Sequence, residues 1–376
     1  MQSQRKYKRI VVKIGSSLFY SDQAKLDANL ISSFTSQIAE AMKEGREIVV
    51  VSSGAIALGM SILKIDNRPK DLSLLQAAAS IGQHELMDAY RKFFKSVSLS
   101  CGQLLLTWDD FSNRIRYLNA KNTINTLLRL KSIPVINEND TVSTDEIKFG
   151  DNDRLSALVS TMVGADILIM LSDIDGLMDR EKRIVRIVDK ITPAIKALAC
   201  PTSKKTCVGG MITKLEAAAI CANSGIPCVI ANGRKKAIIK SVIDDPLNSG
   251  TMFLAKSDLL DAKKRWMAFG TKVKGSIIVD DGAKKALVNK KSLLAVGVVS
   301  YVGNFAGGDI VGICDSTGCE FARGKTVVSA KELEKAKGTH FTKEIIHRNN
   351  LVLLGDAPQG GTPQSFLGKI HRKIGK

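Results

Sequence analysis

Two lysines of this chain lie near glycines in patterns that suit phosphate binding. Lys13 stands in the string Lys-Ile-Gly-Ser-Ser, where an apolar run meets a turn. Lys214 stands one turn inside a helical pattern that opens with Gly209 and Gly210. Glycine lets backbone N–H groups approach an anion, a helix N-terminus adds a partial positive charge, and lysine adds a full one. Both lysines are therefore candidates for phosphate contacts, although a strand-end turn with an exposed lysine is the alternative for Lys13.

Three further segments place small, amide or acidic side chains where predicted strands or helices begin or end. Residues 52–55 (Ser-Ser-Gly-Ala) precede a helical pattern and suit a carboxylate ligand, with a simple serine cap as the alternative. Residues 137–140 (Asn-Glu-Asn-Asp) suit a ligand's amino group, with a common Asn/Asp turn as the alternative. Residues 149–153 (Phe-Gly-Asp-Asn-Asp) hold more acids and amides than a helix cap needs.

The five segments together predict one site. In open α/β sheets, ligands bind beyond the carboxyl ends of the strands, which is where these segments fall. Two lysines and a helix N-terminus indicate a phosphate that is transferred, and the acidic and amide-rich segments indicate a zwitterionic acceptor. The patterns G-x-x-x-x-G-K-[ST], G-x-G-x-x-G and G-x-S-x-G do not occur, which argues against a P-loop, a dinucleotide fingerprint and a serine nucleophile elbow.

Apolar runs that alternate with helical patterns must position these segments. Because the predicted strands are almost entirely apolar, they suit parallel strands covered on both faces: Ile10–Ile14, Ile48–Val51, Gln103–Thr107, Ile133–Ile136, Ile167–Leu171 and Cys228–Ala231. The helical patterns cover about 24–43, 72–95, 114–131, 152–163 and 210–223. This alternation predicts a doubly wound α/β domain with a mostly parallel sheet and right-handed crossovers.

The pattern changes near residue 262, where the charged string DAKKRWMAFG indicates a domain boundary. Short β-like runs separated by Gly, Asp and Asn follow, with one helix near 282–288, and they predict a small mixed β domain. The predicted runs are Ser276–Val279, Gly297–Val302, Asp309–Cys314, Lys325–Val328 and Leu351–Leu354. We therefore expect domains at 1–262 and 265–355. Residues 356–376 are expected to be a basic, disordered tail, with a membrane-binding or partner-binding helix as the alternative.

Composition narrows the class of protein. Of the 376 residues, 44% are hydrophobic and 24% are charged, which is typical of a globular chain. The apolar run Ile167–Leu171 is far shorter than the roughly 20 residues that a membrane span needs. Seven scattered cysteines without a C-x-x-C motif, and four histidines without zinc-finger spacing, predict reduced thiols and no bound structural metal. The basic N-terminus is interpreted as the start of the first strand, and hence the protein as cytoplasmic.

The chain has a net charge of +18, and half of it lies in residues 265–376, under a third of the length. Such a basic excess suits anionic substrates or nucleic acid. RNA binding by the C-terminal part is therefore an alternative function. The low aromatic content of 5% argues against it, because bases commonly stack on aromatic side chains.

Across residues 9–254 the chain resembles the amino acid kinase family, most closely its members that phosphorylate glutamate. The matching strings are VVKIGSSL, VSSGAIALG, QAAASIGQ, QLLLTWDDFSNRIRYLNAKNTINTLL, PVINENDTV, EIKFGDNDRLSALV, ADILIMLSDIDGL and GGMITKLEAA. Residues 265–354 resemble a PUA domain through the strings IIVDDGAKKAL, KSLLAVGVVSYVGNFAGGDIVGI and FARGKTVVS. Members that phosphorylate an acetylated glutamate, aspartate or uridylate are the alternatives within the family.

The resemblance implies transfer of the γ-phosphoryl group of ATP to the side-chain carboxylate of L-glutamate, which is the first step of proline biosynthesis. Such a carboxylate is already ionised at pH 7, so the reaction needs no general base. Mg²⁺ would travel on the nucleotide phosphates, largely through water. The resemblance also implies a homo-oligomer, feedback inhibition by L-proline and partnership with glutamyl phosphate reductase.

The resemblance assigns roles to residues of this chain. Lys13 and Lys214 would contact phosphate, and Asp153 would orient both lysines. Glutamate would be bound by Ser53, Gly54, Asn137, Asp140 and Asn152, with Asp140 pairing with the α-ammonium. The nucleotide would be bound by Lys13, Gly15, Ser16, Ser172, Asp173, Val208, Gly209, Gly210, Met211, Thr213 and Lys214.

Two departures from the family pattern concern the nucleotide side. Where members usually have Gly-Thr-Gly-Gly-Met, this chain has Cys207-Val208-Gly209-Gly210-Met211, which removes a hydroxyl contact and a flexible glycine. After Leu177 the chain continues MDREKRIVRIV, a shortened segment without the usual Tyr and Asp-Pro. Both changes fall where the resemblance places contacts to the nucleotide.

Overall fold

The computed structural model describes residues 7–19, 27–143, 152–199, 210–256, 262–271, 273–339, 341 and 343–354. The chain divides into two compact units, residues 1–260 and 261–376. The expected tail, 356–376, lies outside the described residues, as do residues 144–151 and 200–209.

The first unit is built on one eight-stranded sheet with the order β3-β4-β2-β1-β5-β7-β8-β6. Its strands are β1 (Arg9–Ile14), β2 (Glu47–Ser52), β3 (Cys101–Leu106), β4 (Ile133–Glu138), β5 (Ile167–Ser172), β6 (Ile187–Val188), β7 (Cys228–Asn232) and β8 (Thr251–Phe253). All neighbouring strands pair in parallel except β7 and β8, which are antiparallel. The expected doubly wound, mostly parallel sheet is therefore confirmed, whereas the short strands β6 and β8 were not predicted.

Helices flank this sheet and follow the predicted alternation. They are α1 (Ala28–Lys43), α2 (Ala55–Ile62), α3 (Leu72–Ser96), α4 (Trp108–Ser112), α5 (Arg114–Arg129), α6 (Asn152–Val163), α7 (Pro193–Leu198), α8 (Met211–Asn223) and α9 (Ile238–Asp244). The apolar stripe of α1 is buried at Ile31, Phe34 and Ile38, as its helical spacing predicts. Strand β5 is buried along its whole length, because layers cover both faces of the sheet.

Helices α2 and α3 pack backbone against backbone. A Cβ atom on Gly59 would stand 1.7 Å from the carbonyl oxygen of Ala78, and one on Gly82 would stand 1.8 Å from that of Ala55. Any larger residue at these two positions would force the helices apart. The contact therefore fixes α3 against the first turn of α2, which begins directly after the Ser-Ser-Gly segment.

The second unit has a five-stranded mixed sheet with the order β10-β9-β11-β12-β13. The strands are β9 (Gly275–Val279), β10 (Val298–Gly303), β11 (Ile310–Cys314), β12 (Glu320–Lys325) and β13 (Leu351–Leu353). Its helices are α10 (Ala262–Arg265), α11 (Asp281–Val288) and α12 (Ala330–Ala336). Strands β9 and β11 are parallel, and the other neighbours are antiparallel.

Three details of this unit differ from the sequence predictions. The strand expected at 325–328 instead ends at Lys325, because the β-like residues that follow leave the sheet at Thr326, which is buried and donates to the carbonyl of Val328. Helix α12 was not predicted, although Ser329 and Glu332 form a capping box at its start. Residues 262–270 of the charged string are helical and include the buried Met267 and Ala268, so part of the string packs into the unit.

None of the helices in the described ranges is long and apolar enough to cross a lipid bilayer.

Replacing Gly59 by alanine should destabilise the first unit by about 3 kcal/mol, because the new methyl group overlaps the backbone of α3. The control is Gly164→Ala, where φ is +65° and no atom lies within 4 Å of the added Cβ. That control carries only backbone strain, about 1 kcal/mol. Urea unfolding of both variants measures the difference, and equal losses would contradict the backbone contact.

Candidate active site

One buried carboxylate joins two lysines that are 201 positions apart in the sequence. The Nζ of Lys13 lies 2.5 Å from Oδ1 of Asp153, and the Nζ of Lys214 lies 3.0 Å from its Oδ2. The three side chains are 6%, 9% and 1% exposed, respectively, for Lys13, Lys214 and Asp153. The two lysines predicted to contact phosphate therefore meet at one place.

Asp153 remains ionised in this cluster. Burial by itself would raise the pKa of Asp153, but attraction to the ammonium groups of Lys13 and Lys214 outweighs it and holds that pKa far below its ordinary value. Two cations and one anion leave a net charge of +1 in a site with little water. Such a surplus favours an anionic ligand, and electrostatic attraction is strong where water is excluded.

The topology of the sheet explains why these residues meet. Strand β1 lies between β2 and β5, and the strand order runs outward in opposite directions from this point. Lys13 lies near the carboxyl end of β1, while Asp153 and Lys214 lie in the first turns of α6 and α8. Thr213 donates its hydroxyl to Oδ2 of Asp153 at 3.1 Å, which further fixes that carboxylate. The crevice beside a strand-order reversal is the usual ligand site of such sheets.

Amide side chains form a second cluster beside the first. Asn152 donates its Nδ2 to the Oδ1 of Asn137 at 2.6 Å and also to the carbonyl of Ser52. The Oδ1 of Asn137 also accepts the backbone N–H of Glu138 at 2.9 Å. Asn137 and Asn152 are both buried. The carboxyl ends of β2 and β4 are thus tied to the start of α6, directly next to Asp153.

The serine at the start of α2 does not cap the helix. The N-cap residue is Gly54, with φ of 101°, and no side chain caps this helix. The Oγ of Ser53 is buried and has no hydrogen-bond partner among the described residues. A buried hydroxyl without a partner is costly, which indicates that a ligand completes its hydrogen bonding. The alternative of a serine cap is therefore wrong.

Asp140 and Arg68 line the same small cavity as Ser16, Ser53, Gly54, Asn137 and Asn152. Burial raises the pKa of Asp140 to about 6, and the positive charge of Arg68 opposes part of that rise. A partly desolvated carboxylate gains most from a cation that binds beside it. This end of the cavity therefore suits an ammonium group, whereas the lysine cluster suits an anion.

The residues predicted to bind nucleotide differ in burial and in backbone hydrogen bonding, and two of them lie outside the described residues. Ser172 is buried at the end of β5 and Asp173 is exposed beside it. Gly210 precedes α8 with φ of 79°. Val208 and Gly209 lie outside the described residues, so their predicted roles have no structural account. The N–H of Gly15, expected to be open to an anion, instead donates to the carbonyl of Leu171 at 3.0 Å, because the pairing of β1 with β5 continues one residue further.

The shortened segment after Leu177 forms a tight hairpin. Met178 and Ile184 form an isolated antiparallel bridge. Asp179 accepts the backbone N–H of Arg183 at 2.8 Å and pairs with its guanidinium at 3.0 Å. The missing Tyr and Asp-Pro residues are thus replaced by a turn whose ends are joined by an ion pair.

Sequence reasoning missed Arg68 and Gln83, and it singled out Glu138 only as part of the segment 137–140, without a role of its own. Arg68 and Glu138 line the cavity, and Gln83 accepts a hydrogen bond from Asn137 behind it. Gln83 belongs to the string QAAASIGQ, which matched the family pattern but was given no role in the site. Arg68 follows α2 in a polar loop, where the sequence pattern is that of any exposed turn.

A larger groove of about 660 Å³ lies in the second unit, between α11 and the segments around Leu294 and His347. Its residues Lys291 and Arg348 are exposed and Glu344 is half-buried. Among the described residues, the groove contains no buried ion pair and no unpaired buried polar atom. The candidate active site is therefore the cavity of the first unit.

A parallel α/β sheet with two lysines held by one carboxylate, next to a pocket for a small polar molecule, is typical of a phosphotransferase. The model of the amino acid kinase family matches residues 8–232, and that of the PUA domain matches residues 275–348. The chain belongs to the amino acid kinase family, in the branch of the glutamate 5-kinases.

The assignment to this branch rests on curated relatives that match over nearly their whole length. The chain is 44% identical to the glutamate 5-kinase of Caldanaerobacter subterraneus subsp. tengcongensis, over 92% of this chain and 98% of the relative. It is 43% identical to that of Dehalococcoides mccartyi, over 93% and 99%. It is 44% identical to that of Methylococcus capsulatus, over 92% and 97%. Both predicted resemblances are therefore confirmed.

Replacing Asp153 by asparagine should destabilise the ligand-free protein by about 3 kcal/mol, because two buried ammonium groups lose their counterion. Inorganic phosphate should restore part of the loss by supplying a negative charge. The control, Asp88→Asn, removes an exposed carboxylate that pairs only at the surface with Arg91 and should change stability little. Thermal unfolding with and without phosphate measures both effects. An Asp153 variant as stable as the control would contradict the buried cluster.

Proposed function

We propose that this protein transfers the γ-phosphoryl group of ATP to the side-chain carboxylate of L-glutamate, forming L-glutamyl 5-phosphate, the first step of proline biosynthesis. The observation that carries the proposal is the pairing of a cationic cluster with a neighbouring acidic and amide-lined cavity. The first suits phosphate, and the second suits a small molecule with an ammonium group. The relatives named above, glutamate 5-kinases that match across both units, support the same activity.

The main obstacle to this reaction is the repulsion between two anions. Because the acceptor carboxylate is already ionised, no side chain has to remove a proton from it. The proposed task of Lys13 and Lys214 is to neutralise the phosphoryl group as it passes between donor and acceptor. Asp153 would hold both amines in place without itself touching the nucleotide. Catalysis then rests on position and charge.

The amino acid would lie with its two ends in different electrostatic surroundings. Its α-ammonium would pair with Asp140, whose carboxylate regains a counterion on binding. Ser53 and Gly54 would bind a carboxylate at the start of α2, where the partial positive charge of a helix N-terminus favours an anion. Asn137 and Asn152 would complete the wall between the two ends. The side-chain carboxylate would then point towards Lys13 and Lys214.

The nucleotide would occupy the opposite side of the lysine cluster. We place its phosphates against Lys13 and the segment Val208–Lys214, and its remainder near Ser172 and Asp173. Gly15 and Ser16 would lie between the phosphates and the amino acid, since Ser16 lines the amino acid cavity. Both oxygens of Asp153 are engaged by lysines. In the described part of the chain no three His, Cys, Asp or Glu side chains are grouped to hold a metal ion. Because the Asp153 oxygens already pair with lysines, we propose that Mg²⁺ is held mainly by the nucleotide phosphates and water. There it would neutralise charge on the transferred group.

We further infer, from the family relationship, a cytoplasmic homo-oligomer that is inhibited by L-proline and passes its product to glutamyl phosphate reductase. The intermediate is an acyl phosphate, which hydrolyses readily in water, so a nearby reductase would protect it. The PUA unit is proposed as a structural or regulatory module with a basic surface.

The proposed function is tested by comparing acceptors in an assay of ADP release with Mg-ATP. L-Glutamate should be phosphorylated far faster than N-acetylglutamate or L-aspartate. The acetyl group removes the charge that Asp140 is proposed to bind, and aspartate is one methylene too short to reach the lysines. Trapping the product with hydroxylamine as a hydroxamate identifies the acyl phosphate. Preference for N-acetylglutamate would instead support another activity within the family.

The pH dependence of glutamate use tests the role of Asp140. The pKa of this group is raised to about 6, so it is already protonated at pH 5 and charged at pH 7. With saturating ATP, kcat/KM for glutamate should be level above pH 7 and should fall about tenfold per pH unit well below 6, since this ratio reports ionisations of the free enzyme.

Asp140→Asn should lower kcat/KM at pH 8 and abolish the acidic limb of the profile, because the variant has no group left to titrate. The same profile measured for ATP at saturating glutamate is the control and should lack this limb. An acidic limb that persists unchanged in Asp140→Asn would exclude Asp140 as the ammonium partner.

A further inference from the structure

The string QAAASIGQ, residues 76–83, has no role in the function proposed above, yet its last two residues lie behind the substrate cavity. Gly82 allows α3 to touch the first turn of α2 at Ala55. The next residue, Gln83, is thereby buried next to the strand end that carries Asn137. Close packing of two helices thus delivers one amide side chain to the rear of the cavity.

Gln83 is the first member of a directed chain of hydrogen bonds. Its Oε1 accepts from the Nδ2 of Asn137 at 2.7 Å, and the Oδ1 of Asn137 accepts from the Nδ2 of Asn152 at 2.6 Å. Backbone groups fix the direction, since the N–H of Glu138 can only donate to Asn137 and the carbonyl of Ser52 can only accept from Asn152. Gln83 must therefore present its oxygen, and none of the three amides can turn over without breaking a bond.

This direction determines what Asn152 offers to a ligand. Both of its amide hydrogens are engaged, by Asn137 and by Ser52. Its remaining polar atom is Oδ1, an acceptor, and Asn152 lines the same cavity as Asp140. These two side chains both present acceptors to the cavity, which suits an ammonium group, while Arg68 of the same cavity supplies a positive charge near Asp140.

Gln83 is not the best residue for stability at this position. Its Nε2 is buried without a hydrogen-bond partner among the residues that the structure describes. An unpaired buried donor is destabilising, and an apolar side chain of similar shape would avoid that cost. A role in the site accounts for a glutamine here, where stability alone does not.

We propose that Gln83 is a positioning residue that anchors the Asn137–Asn152 pair in the direction set by the backbone and so makes the cavity selective for an amino acid with a free α-ammonium group. The proposal rests on the proposed function and extends it by assigning selectivity to a residue outside the cavity wall. Gln83 acts through Asn137 and does not touch the substrate.

The test uses Gln83→Met in the full chain, which keeps the shape of the side chain and removes the acceptor. We measure KM and kcat for L-glutamate and the inhibition constant of glutarate, the same dicarboxylate without the ammonium group. The KM for glutamate should rise about tenfold, the size expected for one hydrogen bond near a charged group. The inhibition constant of glutarate, the KM for ATP and kcat should change less than about threefold.

The matched control is Gln37→Met. Gln37 is 8% exposed and Gln83 is 9% exposed. The Oε1 of Gln37 also accepts hydrogen bonds, from the N–H groups of Ile239 at 2.8 Å and Lys240 at 3.5 Å, but between α1 and α9. This control should lower the unfolding temperature and leave the KM for glutamate unchanged.

A double variant with Asn137→Ala gives a second readout. Because Gln83 acts through Asn137, adding Gln83→Met to Asn137→Ala should raise that KM little further.

Gln83→Glu keeps an acceptor oxygen facing Asn137, so it should retain the preference for glutamate over glutarate even if Gln83→Met does not fold. Equal weakening of glutamate and glutarate, additive effects in the double variant, or loss of the preference in Gln83→Glu would overturn the proposal. If the unaltered protein phosphorylates no glutamate, the proposed function fails and the proposal fails with it. If glutamate is phosphorylated and Gln83→Met leaves its KM unchanged, only the role of Gln83 fails.

Discussion

The first unit depends on one electrostatic constraint, the sharing of the Asp153 carboxylate between Lys13 and Lys214. Two lysines that are almost fully buried cannot approach each other without a counterion, because both charges would lose their hydration and repel one another. The carboxylate permits the approach and still leaves one positive charge in excess. Three chain segments, the end of β1 and the starts of α6 and α8, must keep their positions for this arrangement to exist. The order of strands in the sheet holds these three segments next to one another.

A second polar cluster, the cavity lined by Asp140 and Asn152, lies beside the lysine cluster and favours a cation instead of an anion. Around the lysine cluster the surplus charge is positive, whereas Asp140 and the oxygen of Asn152 give the neighbouring cavity acceptors. Asn152 and Asp153 are adjacent in α6, so one helix start belongs to both systems. A molecule that carries an anion at one end and an ammonium at the other would be oriented by this difference before any reaction. The glycines that bring α2 and α3 together contribute indirectly, since they set the depth at which Gln83 meets Asn137.

Much of this could be predicted from residue types and spacing. Strands of entirely apolar residues predicted the parallel sheet, and the excess of acids and amides at 149–153 predicted a site at the start of α6. The errors have physical causes. Strands β6 and β8 have two and three residues, which is too short to leave a periodic pattern, and they are the last two strands at one side of the sheet. The strand expected at 325–328 was displaced because β-branched residues there pack in a loop. The alternative of a serine cap at 52–55 was wrong because Gly54, with a positive φ, is the N-cap residue, and the sequence alone does not distinguish the two.

The sequence by itself determined which elements form, which strand ends carry polar residues and which two lysines are candidates for phosphate, because these properties depend on neighbours along the chain. Only the tertiary structure decided that Lys13 and Lys214 share one carboxylate, that the N–H of Gly15 is already used by Leu171, and that Gln83 stands behind Asn137. Each of these facts joins residues far apart in sequence, and hydrogen-bond direction, burial and the shift of a pKa depend on distances that folding alone establishes.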